Sequence, residues 1–227
     1  MGSSDDIILC QPDNLKGCSV CCGLFNLKDC SRKNLSCFLE AGIARVRDFA
    51  VYDEFRLDAG VRDEFTHICP YQGFLKAGKP GCHIHPLSSG YEGRERSLFS
   101  SKICSGFLCP AHTILTPEEK QSLVEHVNDW YLYSVAITDP ESFAFLRSFI
   151  LETFAPDPHH ENMGILLNAG LTSHAESLDQ SGSVIFYYSR PEYNLHKEIF
   201  CISRNGSNRE RVIDSIRKKA AEKGLIN

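Results

Sequence analysis

The cysteines of this chain are concentrated in its first half. Ten of the eleven lie between positions 10 and 109, and only Cys201 lies beyond them. Residues 18–23, CSVCCG, place three cysteines within six residues and end in a glycine. A chain of 227 residues can bury a stable core without disulfide bonds. The distribution therefore predicts a cysteine-rich region, residues 1–115, with a chemistry of its own, followed by a second region, residues 116–227.

The rest of the composition excludes several function classes. The N-terminus, MGSSDDIILCQPDN, lacks the basic start and the apolar run of a signal peptide, and no apolar stretch of about 18 residues occurs. We therefore expect a cytoplasmic protein with no membrane partner. The net charge is -5 and no long basic run is present, which argues against a nucleic-acid partner. In a reducing compartment, an excess of cysteine indicates metal binding or catalysis more readily than disulfides.

The two regions also differ in their secondary-structure signals. The first region is rich in glycine and proline around KAGKPGCHIHPLSSGYEG, which is typical of an irregular backbone held by side-chain ligands. One helix is predicted there, from about Asn34 to Val61. The second region has regular helical patterns. The sequence thus predicts a mainly α fold with little β, in which an irregular cysteine-rich metal-binding half packs on a helical half as one unit.

Helix start signals divide the second region. Thr116–Glu119 and Asp139–Glu141 each combine a capping side chain, a proline for the first turn and acidic residues near the positive end of the helix dipole. Apolar residues at helical spacing follow both signals, so two packed helices are predicted. The further predicted elements are a weaker helix over Glu161–Leu178, a strand over Ser183–Tyr188 and a final helix after a capping box at Ser207–Glu210.

The CSVCCG segment has the spacing of a metal knuckle. Cys18 and Cys21 form a C-x-x-C pair whose thiolates can face one ion, Cys22 follows at once, and Gly23 lets the backbone turn. Because Cys21 and Cys22 are neighbours, we expect only one of them to join Cys18 on the same ion. The predicted metal ligands are seven thiols: Cys18, Cys21, Cys22, Cys69, Cys82, Cys104 and Cys109.

The dipeptides Cys69-Pro70 and Cys109-Pro110 favour an iron–sulfur cluster, with zinc as the alternative. A Cys-Pro step ends the cluster-binding run of bacterial ferredoxins, where proline turns the chain away from the cluster. Seven thiols exceed the four that one cluster or one structural zinc requires. A second metal, an alternate ligand or a reactive thiol would account for the excess.

Histidines and the other cysteines are weaker candidates. His83 and His85 would lie on the face opposite Cys82 in an extended segment, and His67 and His112 flank Cys69 and Cys109 as replacement ligands. Free cysteine often packs as a small hydrophobic residue. The cysteines assigned to packing are Cys10, Cys30, Cys37 and Cys201. Of these, Cys37 is predicted to lie on the buried side of a helix.

The order of these motifs resembles a known family. The segments CSVCCGLF, HICPYQGFLKAGKPGCHIHP and SSKICSGFLCPAH are similar to those of the zinc- or iron-chelating CxxCC-domain proteins, often called YkgJ-like, over about residues 15–115. A longer insert, GYEGRERSLFSSKIC, precedes Cys104, so the resemblance leaves open whether Cys104, Cys109 or both supply the last ligand. It implies metal binding by thiolates. A related cysteine-rich arrangement is similar to that of flagellin lysine methylases.

The sequence therefore favours a metal-binding protein that holds an iron–sulfur cluster, or zinc, and uses its helical half as a scaffold or as a surface for a protein partner. Two alternatives stay open. One is a cluster-dependent or metal-dependent enzyme, either redox or protein-modifying, for which no Rossmann, P-loop, G-x-S-x-G or H-E-x-x-H motif assigns a class. The other is an interaction module with a structural zinc.

Overall fold

A computed structural model of the chain describes residues 7–44, 68–97, 100–106, 108–154, 161–181, 201–202 and 205–225. These residues are mainly helical, and their strands are β1 (Gln72–Phe74) and β2 (Pro80–Cys82), which pair antiparallel. The predicted fold class, mainly α with little β, is confirmed. The predicted strand at 183–188 and most of the predicted helix over 34–61 lie outside the described residues.

The helices range from one turn to more than five. None of the described helices combines the length and the apolar composition that crossing a lipid bilayer requires. In chain order the helices are α1 (Arg32–Glu40), α2 (Pro86–Ser89), α3 (Ser100–Gly106), α4 (Ala111–Ile114), α5 (Pro117–His126), α6 (Trp130–Thr138), α7 (Pro140–Phe154), α8 (Glu161–Ser181) and α9 (Gly206–Glu222).

Helix α5 begins where its sequence signal predicts. Thr116 Oγ1 accepts a hydrogen bond from the Glu119 N–H at 3.3 Å, and Glu119 Oε2 accepts one from the Thr116 N–H at 2.8 Å. Pro117 occupies the first turn, where a missing N–H costs nothing. This reciprocal pair is a capping box, and it satisfies two backbone donors that have no partner within the helix.

Substituting Thr116 with alanine is expected to lower the free energy of unfolding by about 1 kcal/mol, because the Glu119 N–H loses its acceptor. Urea unfolding followed by far-UV circular dichroism measures the change. Glu119→Gln is the matched control, since glutamine still offers an acceptor to the Thr116 N–H and is expected to cost less. Equal stability of Thr116→Ala and the parent chain would contradict a capping role.

One helix was predicted between the start signals at Thr116 and Asp139. The structure has two helices there, α5 and α6. Helix α5 ends at His126, and Asp129 begins α6 by accepting the N–H groups of Tyr131 at 3.1 Å and Leu132 at 2.9 Å. Asp129 also forms a two-point ion pair with Arg32 of α1, at 2.6 Å for each hydrogen bond. The short side chain of Asp129 competes with the helix for its own backbone, which is why the break lies there.

Helix α7 starts from a buried polar cluster. Asp139 precedes Pro140 as predicted and accepts hydrogen bonds from the Ser142 N–H at 3.2 Å, from the Ser142 hydroxyl and from the Cys201 thiol at 3.5 Å. Its Oδ2 also lies 3.1 Å from Nε2 of His174 on α8. All four side chains are at most 4% exposed. The cluster therefore joins α7, α8 and the segment of Cys201 through one carboxylate.

Helices α8 and α9 pack closely along their lengths. A Cβ added at Gly170 would lie 3.0 Å from Cδ1 of Ile216, so glycine permits this close approach. The cap of α9 differs from the prediction, since Asn205, and not Ser207, accepts the N–H of Asn208, at 3.1 Å. Asparagine and serine are about equally good caps, so cap preference does not favour Ser207 over Asn205.

One apolar core extends through both regions of the sequence. It includes Leu24 and Phe25 of the first region and Leu146 and Ile216 of the second, each fully buried. Two tyrosines of α6 reach across to the first region: the hydroxyl of Tyr133 donates to the carbonyl of Leu9 at 2.8 Å, and that of Tyr131 donates to the carbonyl of Cys30 at 3.0 Å. The helical region thus anchors the segments that carry the cysteines.

Candidate metal centre

The CSVCCG segment is a tight loop whose neighbouring thiols diverge. The Cys22 N–H donates to the carbonyl of Ser19 at 3.1 Å, and the Gly23 N–H donates to that of Val20 at 2.9 Å. Gly23 has a φ of 84°, a left-handed conformation that glycine adopts without steric cost. Cys21 packs against the main core, whereas Cys22 packs against a separate small cluster around Cys69. The loop thus sends adjacent thiols to different surroundings.

The first group of thiols forms where Cys18 and Cys21 meet two distant cysteines. Cys18 lies beside Cys10, and Cys21 lies beside Cys109, each pair close enough for its thiols to interact. Cys18 and Cys109 are at most 9% exposed, so these sulfur atoms lie within the main core. The first group consists of Cys10, Cys18, Cys21 and Cys109.

Cys10 was missed as a ligand candidate because an eight-residue separation from Cys18 is not a knuckle spacing. The structure closes that gap with a turn at Asp13, whose Oδ1 accepts the N–H groups of Leu15 and Lys16, each at 2.7 Å. The Cys18 N–H then donates to the carbonyl of Cys10 at 3.1 Å. The signal in the sequence is CQPDNLKGC, since aspartate after proline is typical of such a turn.

The thiols of the first group polarise one another. The neighbouring Cys18 thiol lowers the pKa of Cys10 to about 5, with a further lowering by the neighbouring imidazole of His112. The Cys10 thiol, followed by burial, raises the pKa of Cys18. Cys21 and Cys109 repeat this arrangement: their interaction raises the pKa of Cys21 and lowers that of Cys109. In each pair one thiol is thus made more acidic and its neighbour less acidic.

The second group of thiols lies on the other side of the loop, around the β1–β2 ribbon. The Cys69 N–H donates to the carbonyl of Cys22 at 2.7 Å, and the two thiols are close enough to interact. Gln72 Nε2 donates to both carbonyls, of Cys22 and of Cys69, at 3.0 Å each. Cys82 on β2 stands opposite Gln72 on β1. The ribbon thereby brings Cys82 beside Cys22.

Cys104 on α3 completes the second group at the surface. Its sulfur lies 3.3 Å from Oγ of Ser97 and close enough to Cys22 and Cys82 for their charges to interact. Burial raises the pKa of Cys82 to about 12 and, less strongly, that of Cys104. The neighbouring Cys69 thiol and burial raise the pKa of Cys22. These three thiols thus favour the protonated form without a compensating cation.

The donor chemistry of both groups fits a soft metal. Thiolates are the preferred ligands of zinc and of iron–sulfur clusters, and a nearby cation is what lowers a thiol pKa. Four sulfur atoms at about 2.3 Å from one ion lie about 3.8 Å from each other. In the described part of the chain, no group of three or more His, Cys, Asp or Glu side chains stands in positions that could hold a metal ion. The thiols of each group would therefore have to move closer together to bind one.

The four histidines considered as weaker ligand candidates differ in their surroundings. His85 begins helix α2, where its Nδ1 accepts the Leu87 N–H at 3.2 Å, and burial lowers its pKa. The imidazole of His83 lies against Gly73, where an added Cβ would clash with its Nε2. His112 is the histidine beside the first group of thiols. His67 lies outside the described residues.

Three cysteines stand apart from both groups. The Cys30 thiol donates to the carbonyls of Phe25 at 3.3 Å and Leu27 at 3.4 Å, so it packs as predicted. Cys201 is fully buried in the cluster around Asp139. The prediction that Cys37 faces the buried side of its helix is wrong, because Leu35 and Leu39 are the buried residues of α1 and Cys37 is exposed.

A groove of about 670 Å³ lies away from these thiols, between helices α5, α8 and α9. Side chains of both charge signs line it, among them Glu125, Glu161 and Lys219, and no cysteine belongs to its lining. The thiol groups are therefore the better candidate site, because they gather groups of one chemistry from several distant segments.

No protein-family model, curated protein or solved structure matches this chain. The resemblance to the CxxCC-domain proteins accordingly stays a prediction from the sequence motifs. The function of the chain is therefore inferred from the positions of its own side chains.

Proposed function

We propose that this protein binds metal through cysteine thiolates, most readily as an iron–sulfur cluster, with zinc as the alternative. The observation that carries the proposal is the convergence of eight thiols from segments around residues 10–22, 69–82 and 104–109. Within this set Cys18 lies beside Cys10, Cys21 beside Cys109 and Cys22 beside Cys69, each pair close enough for its thiols to interact. All seven cysteines predicted as ligands belong to this set.

Packing alone does not account for such a set. A buried thiol is tolerated singly as a small apolar residue, as Cys30 and Cys201 illustrate. Several thiolates buried together repel one another, as the mutual effects of Cys18, Cys21 and Cys109 on their pKa values indicate. A cation between the sulfur atoms would convert this repulsion into attraction, and the ligands would lose their protons on binding.

The two Cys-Pro steps favour iron over zinc, whereas an all-sulfur donor set suits both metals. Pro70 and Pro110 follow Cys69 and Cys109 directly, and neither proline has an N–H to donate to a backbone hydrogen bond. A cluster would supply one-electron transfer, whereas zinc would supply local structural stability. The chain's own contribution is positional: Gln72 fixes the carbonyls of Cys22 and Cys69, and Asp13 folds Cys10 back onto Cys18.

The test is the metal and sulfide content of protein purified without oxygen. Iron with an equal amount of acid-labile sulfide and a brown absorption band supports a cluster. Stoichiometric zinc in a colourless sample supports the zinc form and rejects iron–sulfur. Protein that contains neither, and that takes up neither on anaerobic reconstitution with iron and sulfide or with zinc, would overturn the proposal.

Cys69→Ala and Cys82→Ala are each expected to remove at least half of the bound metal, because each leaves its group one thiolate short. Inductively coupled plasma mass spectrometry of the purified variants gives the metal content per chain. Cys37→Ala, on the exposed side of α1, and Cys201→Ala, in the buried cluster at Asp139, are the controls and are expected to keep all of it. Full retention in both ligand variants would show that the second group is not a metal site.

A further inference from the structure

We infer that the eight thiols form two metal centres of four cysteines each. The first centre consists of Cys10, Cys18, Cys21 and Cys109, and the second of Cys22, Cys69, Cys82 and Cys104. This inference rests on the proposed metal binding and adds to it the number of centres, the assignment of every ligand and Cys10 as a ligand.

The division between the centres passes between Cys21 and Cys22. Cys21 contacts Cys109 and packs on the main core, together with Cys18. Cys22 contacts Cys69 and packs, with Cys82, on the separate cluster that Cys69 forms with Tyr71 and Ile84. The apolar clusters that they contact therefore assign Cys21 and Cys22 to different sides of the loop.

The number of thiols on each side matches what one centre requires. A structural zinc or a four-iron cluster takes four sulfur ligands, and a fifth thiol has no position on it. With Cys10 included, the first side has four, and the second side has four as well. The apparent excess of thiols over one site is thereby accounted for, and the vicinal pair Cys21–Cys22 gives one ligand to each centre.

The two centres differ in their access to solvent. In the first, Cys18 and Cys109 are at most 9% exposed and are enclosed by the main core. In the second, Cys104 is exposed on the short helix α3 and Cys82 is half-buried. We therefore expect the second centre to exchange its metal with a chelator faster than the first.

Cobalt(II) titration of the reduced, metal-free full chain tests the assignment, because thiolate ligation gives cobalt an intense charge-transfer band. The wild-type chain is expected to saturate at two equivalents. Cys10→Ser/Cys109→Ser and Cys82→Ser/Cys104→Ser are each expected to saturate at one, and Cys30→Ser/Cys37→Ser, the matched control, at two. Circular dichroism checks that each variant keeps its helical content.

The outcomes separate the inference from the proposed function. No thiolate band in the wild-type chain would overturn metal binding itself. A wild-type chain that saturates at one equivalent, or two equivalents in the Cys10→Ser/Cys109→Ser variant, would overturn the two-centre assignment and leave metal binding in place.

A second measurement requires no substitution. The wild-type chain with two equivalents of cobalt is alkylated with iodoacetamide, and mass spectrometry locates the modified cysteines. Cys10 and Cys104 are expected to be protected relative to the metal-free chain, while the exposed Cys37 reacts equally in both samples. Modification of Cys10 at the metal-free rate would remove it from the first centre.

Discussion

Removal of the metal that we propose is expected to expose the amides of residues 7–27 and 68–85 to hydrogen exchange and to leave those of helix α7 protected. The cysteine-bearing segments have few regular ladders, since their strands are three residues long and their other backbone contacts are turns. Metal bound at a folded site contributes directly to folding, by about 10–16 kcal/mol for structural zinc in small domains. Helix α7 instead buries Phe143, Leu146 and Ile150 in the core.

Hydrogen exchange with mass spectrometry on chelator-treated and untreated protein measures this difference peptide by peptide. We expect protection of the peptides that contain the Cys18 and Cys69 amides to fall by at least tenfold, because these amides donate to cysteine carbonyls within the thiol groups. The same chelator saturated with calcium is the control for ionic effects. Unchanged protection of both segments would mean that the apolar core alone maintains them.

The second large effect is expected at Asp139. Asp139→Ala should lower the free energy of unfolding by about 3–5 kcal/mol, because removing one member of a buried polar pair leaves its partners desolvated. The partners are Ser142, His174 and Cys201, all fully buried. Urea unfolding at pH 7 measures the loss. Asp214→Ala on α9 is the matched control, since the Asp214 carboxylate is 75% exposed and its ion pair with Arg217 is expected to contribute less than about 1 kcal/mol.

The pH dependence of the stability that Asp139 contributes follows from the direction of its pKa shift, and Asp139→Asn tests it. Burial raises the pKa of Asp139, but hydrogen bonding to His174 and Ser142 outweighs it, so the pKa lies below the ordinary value of 3.8. Stability from the ionised carboxylate is therefore present above about pH 4 and is lost as the pH falls through the lower folded-state pKa. We expect the stability difference between the parent chain and Asp139→Asn to shrink on acidification. A difference that grows between pH 5 and pH 3 would contradict this direction.

The predictable parts of the fold are those governed by neighbours in the sequence. The starts of α5 at Thr116 and α7 at Asp139 depend on capping within four residues, and both were predicted correctly. The break before Asp129 was not predicted, because Trp130 and Tyr131 continue the apolar pattern of the preceding helix. There the ion pair with Arg32 and the burial of Tyr131 act from outside the local sequence.

The candidate site shows the same limit. Knuckle spacing and Cys-Pro steps single out five of the eight thiols, and turn-rich surroundings add Cys82 and Cys104. Cys10 was not predicted, because its proximity to Cys18 depends on the turn at Asp13 and not on a recognised spacing. The division between Cys21 and Cys22 likewise depends on what lies on each side of the loop. The local sequence indicates which cysteines are candidates, and tertiary packing decides which thiols meet.

The divergence of Cys21 and Cys22 has a consequence for how two centres would communicate. Consecutive α-carbons are 3.8 Å apart, and a metal–sulfur bond is about 2.3 Å long, so two ions held by adjacent cysteines lie on the order of 10 Å from each other. One rigid peptide plane would then connect them. If both centres held iron–sulfur clusters, an electron would have a short covalent path from the exposed centre to the buried one. A movement of the Cys21 or Cys22 backbone at one centre would also change the orientation of the ligand at the other.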